Sequence, residues 1–124
     1  MGFPSRDFKD LLVWQKAMRV AREAYFLVRK FPSEERYALA DQMHRCAVSI
    51  PSNIAEGQQR NGKQEIAQFI GYAQGSRAEL QTQLLLARDF GYLTDEEIEP
   101  LFYELEEIGK MLYGLSSAVT TTKN

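Results

Sequence analysis

The stretch Arg45–Gly57, RCAVSIPSNIAEG, decides how this chain is read. With Leu39 and Met43 just before it, Cys46, Ala47, Ile50 and Ile54 recur at three- and four-residue spacing. That period describes a helix with one apolar face. Pro51 stands inside it. An interior proline removes a backbone hydrogen bond and costs a helix about 3 kcal/mol. Beside the proline runs a polar line of Arg45, Ser49, Ser52, Asn53 and Glu56. The expectation is a helix kinked at Pro51, with the Ala47 carbonyl freed for a side chain or water.

Working outward, Phe31-Pro32-Ser33 marks where this second helix starts, at about residue 34. Pro32 disfavours helix at Phe31, and Ser33 can cap, with Glu34 and Glu35 in the first turn. Gly57 is a natural stop. Upstream, residues 8–30 form a first helix whose stripe is Trp14, Ala17, Ala21, Ala24 and Val28. Leu12, Phe26 and Leu27 fall on its otherwise polar side, which hints at a second buried surface. Downstream, Asn61 with Gln64 forms a capping-box pattern for a third helix over 62–90. Its core face is Ile66, Phe69, Ile70, Ala73, Leu80, Leu84 and Ala87. Gly71 and Gly75 weaken it, and close approach of a neighbouring helix is the expected compensation. Gly91 ends it. Thr94 and Glu97 form another capping box for a fourth helix over 95–119, carrying Ile98, Leu101, Phe102, Leu105, Ile108, Leu112, Leu115 and Val119. Either that helix kinks at Pro100 or it begins near Glu99. Thr120–Asn124 reads as a frayed tail.

No segment alternates as a strand does. The fold class is therefore all-α: an antiparallel up-down-up-down four-helix bundle in one domain over 1–124. The hydrophobic share, 44%, suits a single core without disulfide or metal, and Cys46 is the only cysteine. It lies among apolar residues and reads as a small buried hydrophobe. No apolar run nears the roughly 20 residues that span a bilayer. MGFPSRDF has no secretory h-region, and Arg6 breaks the myristoylation pattern at Gly2. A cytoplasmic protein without membrane contact is expected. Net charge is −2, yet residues 1–63 hold 11 Lys/Arg against 7 Asp/Glu, and residues 64–124 hold 4 against 10. Complementary packing of helices, or one basic face with a partner, would produce that split.

Catalytic chemistry finds little foothold. GQQRNGKQ at Gly57–Gln64 approaches a phosphate loop, but Gln64 has no hydroxyl for Mg²⁺ and the segment follows a helix. His44 is the only histidine, so the paired Glu-x-x-His motifs of a di-iron bundle are absent. Gly75-Ser76 lacks the nucleophile-elbow frame. The chain reads as no enzyme, with no cofactor and no metal. What remains is polar: Gln42, Arg45, Ser49, Ser52 or Asn53, and Glu56 on helix two, and Gln68, Tyr72, Ser76, Glu79 and Gln83 on helix three. The expected pairs are Arg45 with Glu79 and Asn53 with Ser76. They would form a register-fixing seam or a solvated face, or else a ligand or partner site.

The pieces LLVWQKA at Leu11–Ala17, FPSEERYAL at Phe31–Leu39, DQMHRCAVSIPSNIAEG at Asp41–Gly57, FIGYAQGSRAEL at Phe69–Leu80 and IGKMLYGL at Ile108–Leu115 carry a resemblance. Arranged in this order, they resemble the four-helix-bundle proteins of 23S rRNA intervening sequences, once labelled S23 ribosomal proteins. The accessory variability determinant of diversity-generating retroelements is a relative. Ala38 stands where glycine is frequent, and Gln58-Gln59 replaces a glycine-containing pair. The resemblance implies a ring-shaped homopentamer, with Leu12, Phe26 and Leu27 at its interface. For the retroelement relative it implies binding of nucleic acid and a reverse transcriptase through a basic surface. For most intervening-sequence members the function is unassigned.

Two readings follow. One is an oligomeric accessory protein binding RNA or other nucleic acid, with Lys9, Lys16, Arg19, Arg22, Arg45 and Arg60 as contacts. The other is an oligomeric protein–protein scaffold whose acidic Asp95–Glu107 stretch faces a basic partner.

Overall fold

A computed structural model describes residues 7–121. The expectations for Gly2 and for the last three residues of the tail lie outside them. Four helices form: α1 (Leu12–Val28), α2 (Leu39–Gln58), α3 (Lys63–Asp89) and α4 (Asp95–Thr121). Short 3₁₀ turns precede α1 at Phe8–Asp10 and α2 at Ser33–Glu35. No strand occurs among the described residues. Each helix packs on its neighbours in the chain, and α1 also packs on α4, which closes the bundle. The diagonal pairs do not approach each other closely. Contacts run in opposite order along each pair: Arg60 with Phe69 and Ser49 with Ser76 across α2–α3, Gln74 with Gly109 and Arg88 with Asp95 across α3–α4, and Lys16 with Glu104 and Lys30 with Glu97 across α1–α4. The bundle is all-α and antiparallel, as its periodicity implies.

The helix boundaries show which local signals prevail. Thr94 and Glu97 form their reciprocal cap at 2.9 and 3.2 Å, and α4 begins beside them at Asp95. Pro100 thus lies inside α4, which settles the alternative left open by sequence. Gly91 takes φ +83 after α3, and the Tyr92 amide reaches back to the Ala87 carbonyl at 2.9 Å. That left-handed turn is one a residue with a side chain enters only at a cost of about 1–2 kcal/mol.

Other signals lose. Ser33 opens only the 3₁₀ turn, and α2 starts at Leu39, five residues after the expected 34. Asn61 does not cap α3; Gly62 holds the cap position, with no side-chain bond. Gly57 does not stop α2, which continues to Gln58. Helix one begins at Leu12 because Leu11 is extended and buried, and Asp7 ties the preceding turn by accepting from the Lys9 amide at 3.0 Å.

The core is sealed by Met43, Ile50 and Ile54 of α2, Ile70, Leu80 and Leu84 of α3, and Leu101, Leu105, Ile108 and Leu112 of α4. On α1 the buried stripe is Val13, Ala17, Val20 and Ala24, rotated from the expected one. Trp14 and Ala21 are half-buried and turn toward α2. The rotation arises because α1 must face both α2 and α4. Gly71 and Gly75 also differ from expectation: both are exposed, and nothing lies within 4 Å of a Cβ placed on either. The close approach occurs at Gly109, where a Cβ would meet Arg77 Nε at 2.7 Å. Arg77 is in turn held by Gln74 and Gln81, and Gln81 donates to Glu106 at 3.0 Å.

Candidate functional site

Pro51 lies inside α2 and is buried, and α2 stays helical on both sides of it. A proline here cannot donate to the Ala47 carbonyl. Neighbouring side chains bond the carbonyls around that gap: Ser49 Oγ donates to Cys46 at 2.7 Å, Ser52 Oγ to Val48 at 2.9 Å and Asn53 Nδ2 to Ser49 at 2.8 Å. Three members of the polar line therefore serve the backbone of their own helix. Such back-bonding is usual for Ser and Asn within a helix.

Only part of the line forms a seam with α3. Ser49 Oγ meets Ser76 Oγ at 2.5 Å, and Cys46 Sγ donates to the Ser76 carbonyl at 3.0 Å. The expected partners are not those observed. Arg45 does not reach Glu79; its Nε bonds Asp41 at 2.9 Å, one turn earlier, and its side chain is 76% exposed. Asn53 goes to Ser49, leaving Ser76 to Ser49. Glu56 pairs with Arg60. Arg45 and Glu56 thus lie on a solvated face, while Ser49 and Cys46 both meet Ser76 across the α2–α3 contact.

Cys46 shows what this seam does chemically. Burial pushes its thiol up to about 12, and the nearby Glu79 carboxylate adds to the effect. A thiol so far from its thiolate is a poor nucleophile. We expect alkylation of Cys46 at pH 8 to be slow in the native protein and fast in denaturant, followed by mass spectrometry. The linkage has a definite sign. The folded pKa lies above the unfolded one, so the stability Cys46 contributes is present below about pH 9 and is lost as pH rises toward 12. Cys46→Ala should flatten that part of the pH–stability curve.

The expected basic contacts do not form a common free patch. Glu104 engages both Lys16 at 3.2 Å and Arg19 at 3.7 Å. Arg45 is held by Asp41, and Arg60 by Glu56, with its guanidinium 4.8 Å from the Phe69 ring centroid. Lys9 is exposed on the turn before α1, where its amide and carbonyl are bonded by Asp7 and Gln15. Arg22 is exposed on α1 and lines a groove against α2.

That groove is a predominantly apolar concavity. About 540 Å³ lies between α1 and α2, walled by Trp14, Met18, Ala21, Tyr25 and Phe26 on one side and Val48, Pro51 and Ala55 on the other. Phe26 is 61% exposed and Val48 42%. Pro51, read first as a helix defect, supplies part of this wall. Phe26 is the one residue of the expected oligomer interface that lies here. Leu12, 56% exposed, lines a separate hollow with Met111 and Leu115, and Leu27 packs partly on the core. Sequence reasoning missed the groove itself, although the aromatic residues at 14, 25 and 26 were its signal. Among the described residues no cluster of His, Cys, Asp and Glu could hold a metal ion, and no helix is long and apolar enough to cross a membrane.

Comparison with known structures gives the same architecture. A crystal structure of a protein with unknown function from the S23 ribosomal protein family, from Bacteroides thetaiotaomicron VPI-5482, superposes with a TM-score of 0.79 at 24% identity. The match covers 85% of this chain and 98% of that one. Curated protein sequences return no match. The sequence model of the 23S rRNA-intervening sequence proteins matches residues 9–114. These residues reach from the turn before α1 nearly to the end of α4 and include the Pro51 helix and its seam, so the chain belongs to the 23S rRNA-intervening sequence protein family.

Proposed function

We propose that this chain is a non-enzymatic accessory protein of the cytoplasm that assembles with copies of itself and binds RNA. The observation that carries the reading is the α1–α2 groove, an apolar wall with Phe26 61% exposed. Contiguous exposed apolar surface of this kind marks association sites. A second copy seated on Trp14, Phe26 and Val48 would bury that part of the wall and leave the Tyr25–His44 end open, and a homopentamer is the assembly that the family resemblance implies. RNA as the ligand is supported by the family's tie to sequences intervening in 23S rRNA. Several copies of a modest basic surface, joined in one assembly, gain affinity through avidity.

One observation favours the alternative, a protein scaffold that binds no nucleic acid. Four of the six expected RNA contacts are neutralised by the chain's own carboxylates. An RNA shift assay across salt, paired with mass by light scattering, separates the readings. Steep loss of RNA binding with salt supports the first. A salt-stable assembly with no RNA affinity at low salt supports the scaffold. A stable monomer at micromolar concentration overturns both.

A further inference from the structure

We propose that single-stranded RNA enters the bundle at a notch between α1 and α2, where Tyr25 and His44 offer rings to an unpaired base and Arg29 and Arg36 hold the flanking phosphates. The proposal rests on the RNA reading above and assigns it residues outside the expected basic set.

Three observations carry it. The first is the distribution of unpaired charge. Among the described residues, ion pairs engage Lys16, Arg19, Lys30, Arg45, Arg60, Arg88 and Lys110. Arg22, Arg29 and Arg36 are exposed and enter none of these pairs, and all three line the α1–α2 side. The second is the interleaving of rings and cations. Arg29 Cζ lies 5.6 Å from the Tyr25 ring centroid, and the Tyr25 and His44 rings are 5.8 Å apart. Stacking on aromatic and guanidinium planes, beside cations that meet the backbone, is how proteins hold unpaired nucleotides. The third is shape. The notch encloses about 400 Å³ and shares Tyr25 and His44 with the apolar groove, so the two form one continuous concavity. Asp41, the one carboxylate in its lining, is already bonded by Arg45 at 2.9 Å. A duplex presents its bases edge-on and stacked, so it could offer the notch only phosphates.

The test uses the full chain and a labelled ten-nucleotide oligouridylate, with duplex RNA of equal length and polyglutamate as comparison ligands. Binding is read by anisotropy over a salt series, and light scattering checks that assembly is unchanged. Three unpaired arginines predict a log–log salt slope of about −2, taking roughly −0.7 per single-strand phosphate. Arg29→Glu/Arg36→Glu should weaken binding about 100-fold and bring the slope near −0.7. Tyr25→Leu should cost about tenfold with the slope unchanged, because it removes stacking and no charge. Lys110→Glu, a charge reversal on α4, should leave affinity within about twofold. If the chain binds the oligonucleotide but the double arginine variant binds equally well, the notch is overturned and the RNA reading stands. Equal affinity for duplex overturns the single-strand assignment. Displacement of RNA by polyglutamate makes an acidic protein the occupant. No binding by the unaltered chain at low salt overturns the RNA reading itself.

Discussion

Leu84→Ala is expected to lower the unfolding free energy by about 2–5 kcal/mol. Leu84 is fully buried on α3, in the apolar core that Met43, Ile50, Leu105 and Ile108 also belong to. Removing its branched end loses the transfer energy of the buried carbons and leaves a cavity that rigid helices cannot fully close. Domains of this size are stable by only about 5–15 kcal/mol, so one truncation removes a large part of the total. The melting temperature should fall by on the order of 10 °C. Leu86, two residues on and 40% exposed, is the internal comparison. Leu86→Ala should change stability by no more than about 0.5 kcal/mol. Both are measured by urea unfolding at one fixed protomer concentration, because association adds to apparent stability. A Leu84→Ala change as small as that at Leu86 would show that the α3 core face is wrongly placed.

Phe26→Glu is expected to reduce the proposed assembly to monomers of 14.2 kDa. Phe26 is 61% exposed in the single chain, so the substitution leaves the core untouched and the folded monomer intact. In an assembled groove the same change has two costs. It forfeits about 1.5–3 kcal/mol from burying the ring, and it forces a carboxylate into an apolar wall. Together these raise each dissociation constant by at least about a thousandfold. Light scattering gives the mass and circular dichroism confirms the helices. An unchanged assembly with Glu at position 26 would place the interface elsewhere, with the hollow at Leu12 as the next surface to probe.

Much of the fold is legible because its signals are local. The Thr94–Glu97 cap and the Gly91 turn depend on residues within one helical turn, and both form. The core faces of α2 and α4 follow from spacing alone. Ser33 and Asn61 show the limit of local signals. Each has capping chemistry, but a cap forms only where the chain can also dock the next helix, which here is at Ala38 and Gly62. Gln81 and Gln83 are buried on α3 although both are polar. For Gln81 the reason is the network running from Arg77 to Glu106, which crosses between helices and has no linear signature.

The candidate site was less legible for the same reason. A sequence displays its basic residues but not which carboxylates neutralise them. Lys16 meets Glu104 across 88 positions, and that pairing removes Lys16 from the free surface. Arg29 and Arg36, by contrast, become notable only once other cations are seen to be paired. The polar line on α2 was visible, yet its main duty, bonding carbonyls around Pro51, depends on rotamers that spacing does not encode.

The seam between α1 and α4 has a bearing on how the bundle forms. The α2–α3 and α3–α4 pairs are hairpins joined by short turns, so their first contacts close small loops. Joining α1 to α4 instead closes chain segments of 67 and 88 residues, at Lys30–Glu97 and Lys16–Glu104. Loop-closure entropy makes such distant contacts the slower ones to gain. The α1–α4 seam is therefore the natural last contact to form. Until it closes, the apolar faces that α1 and α4 turn toward each other remain open to solvent, and its closing completes the core.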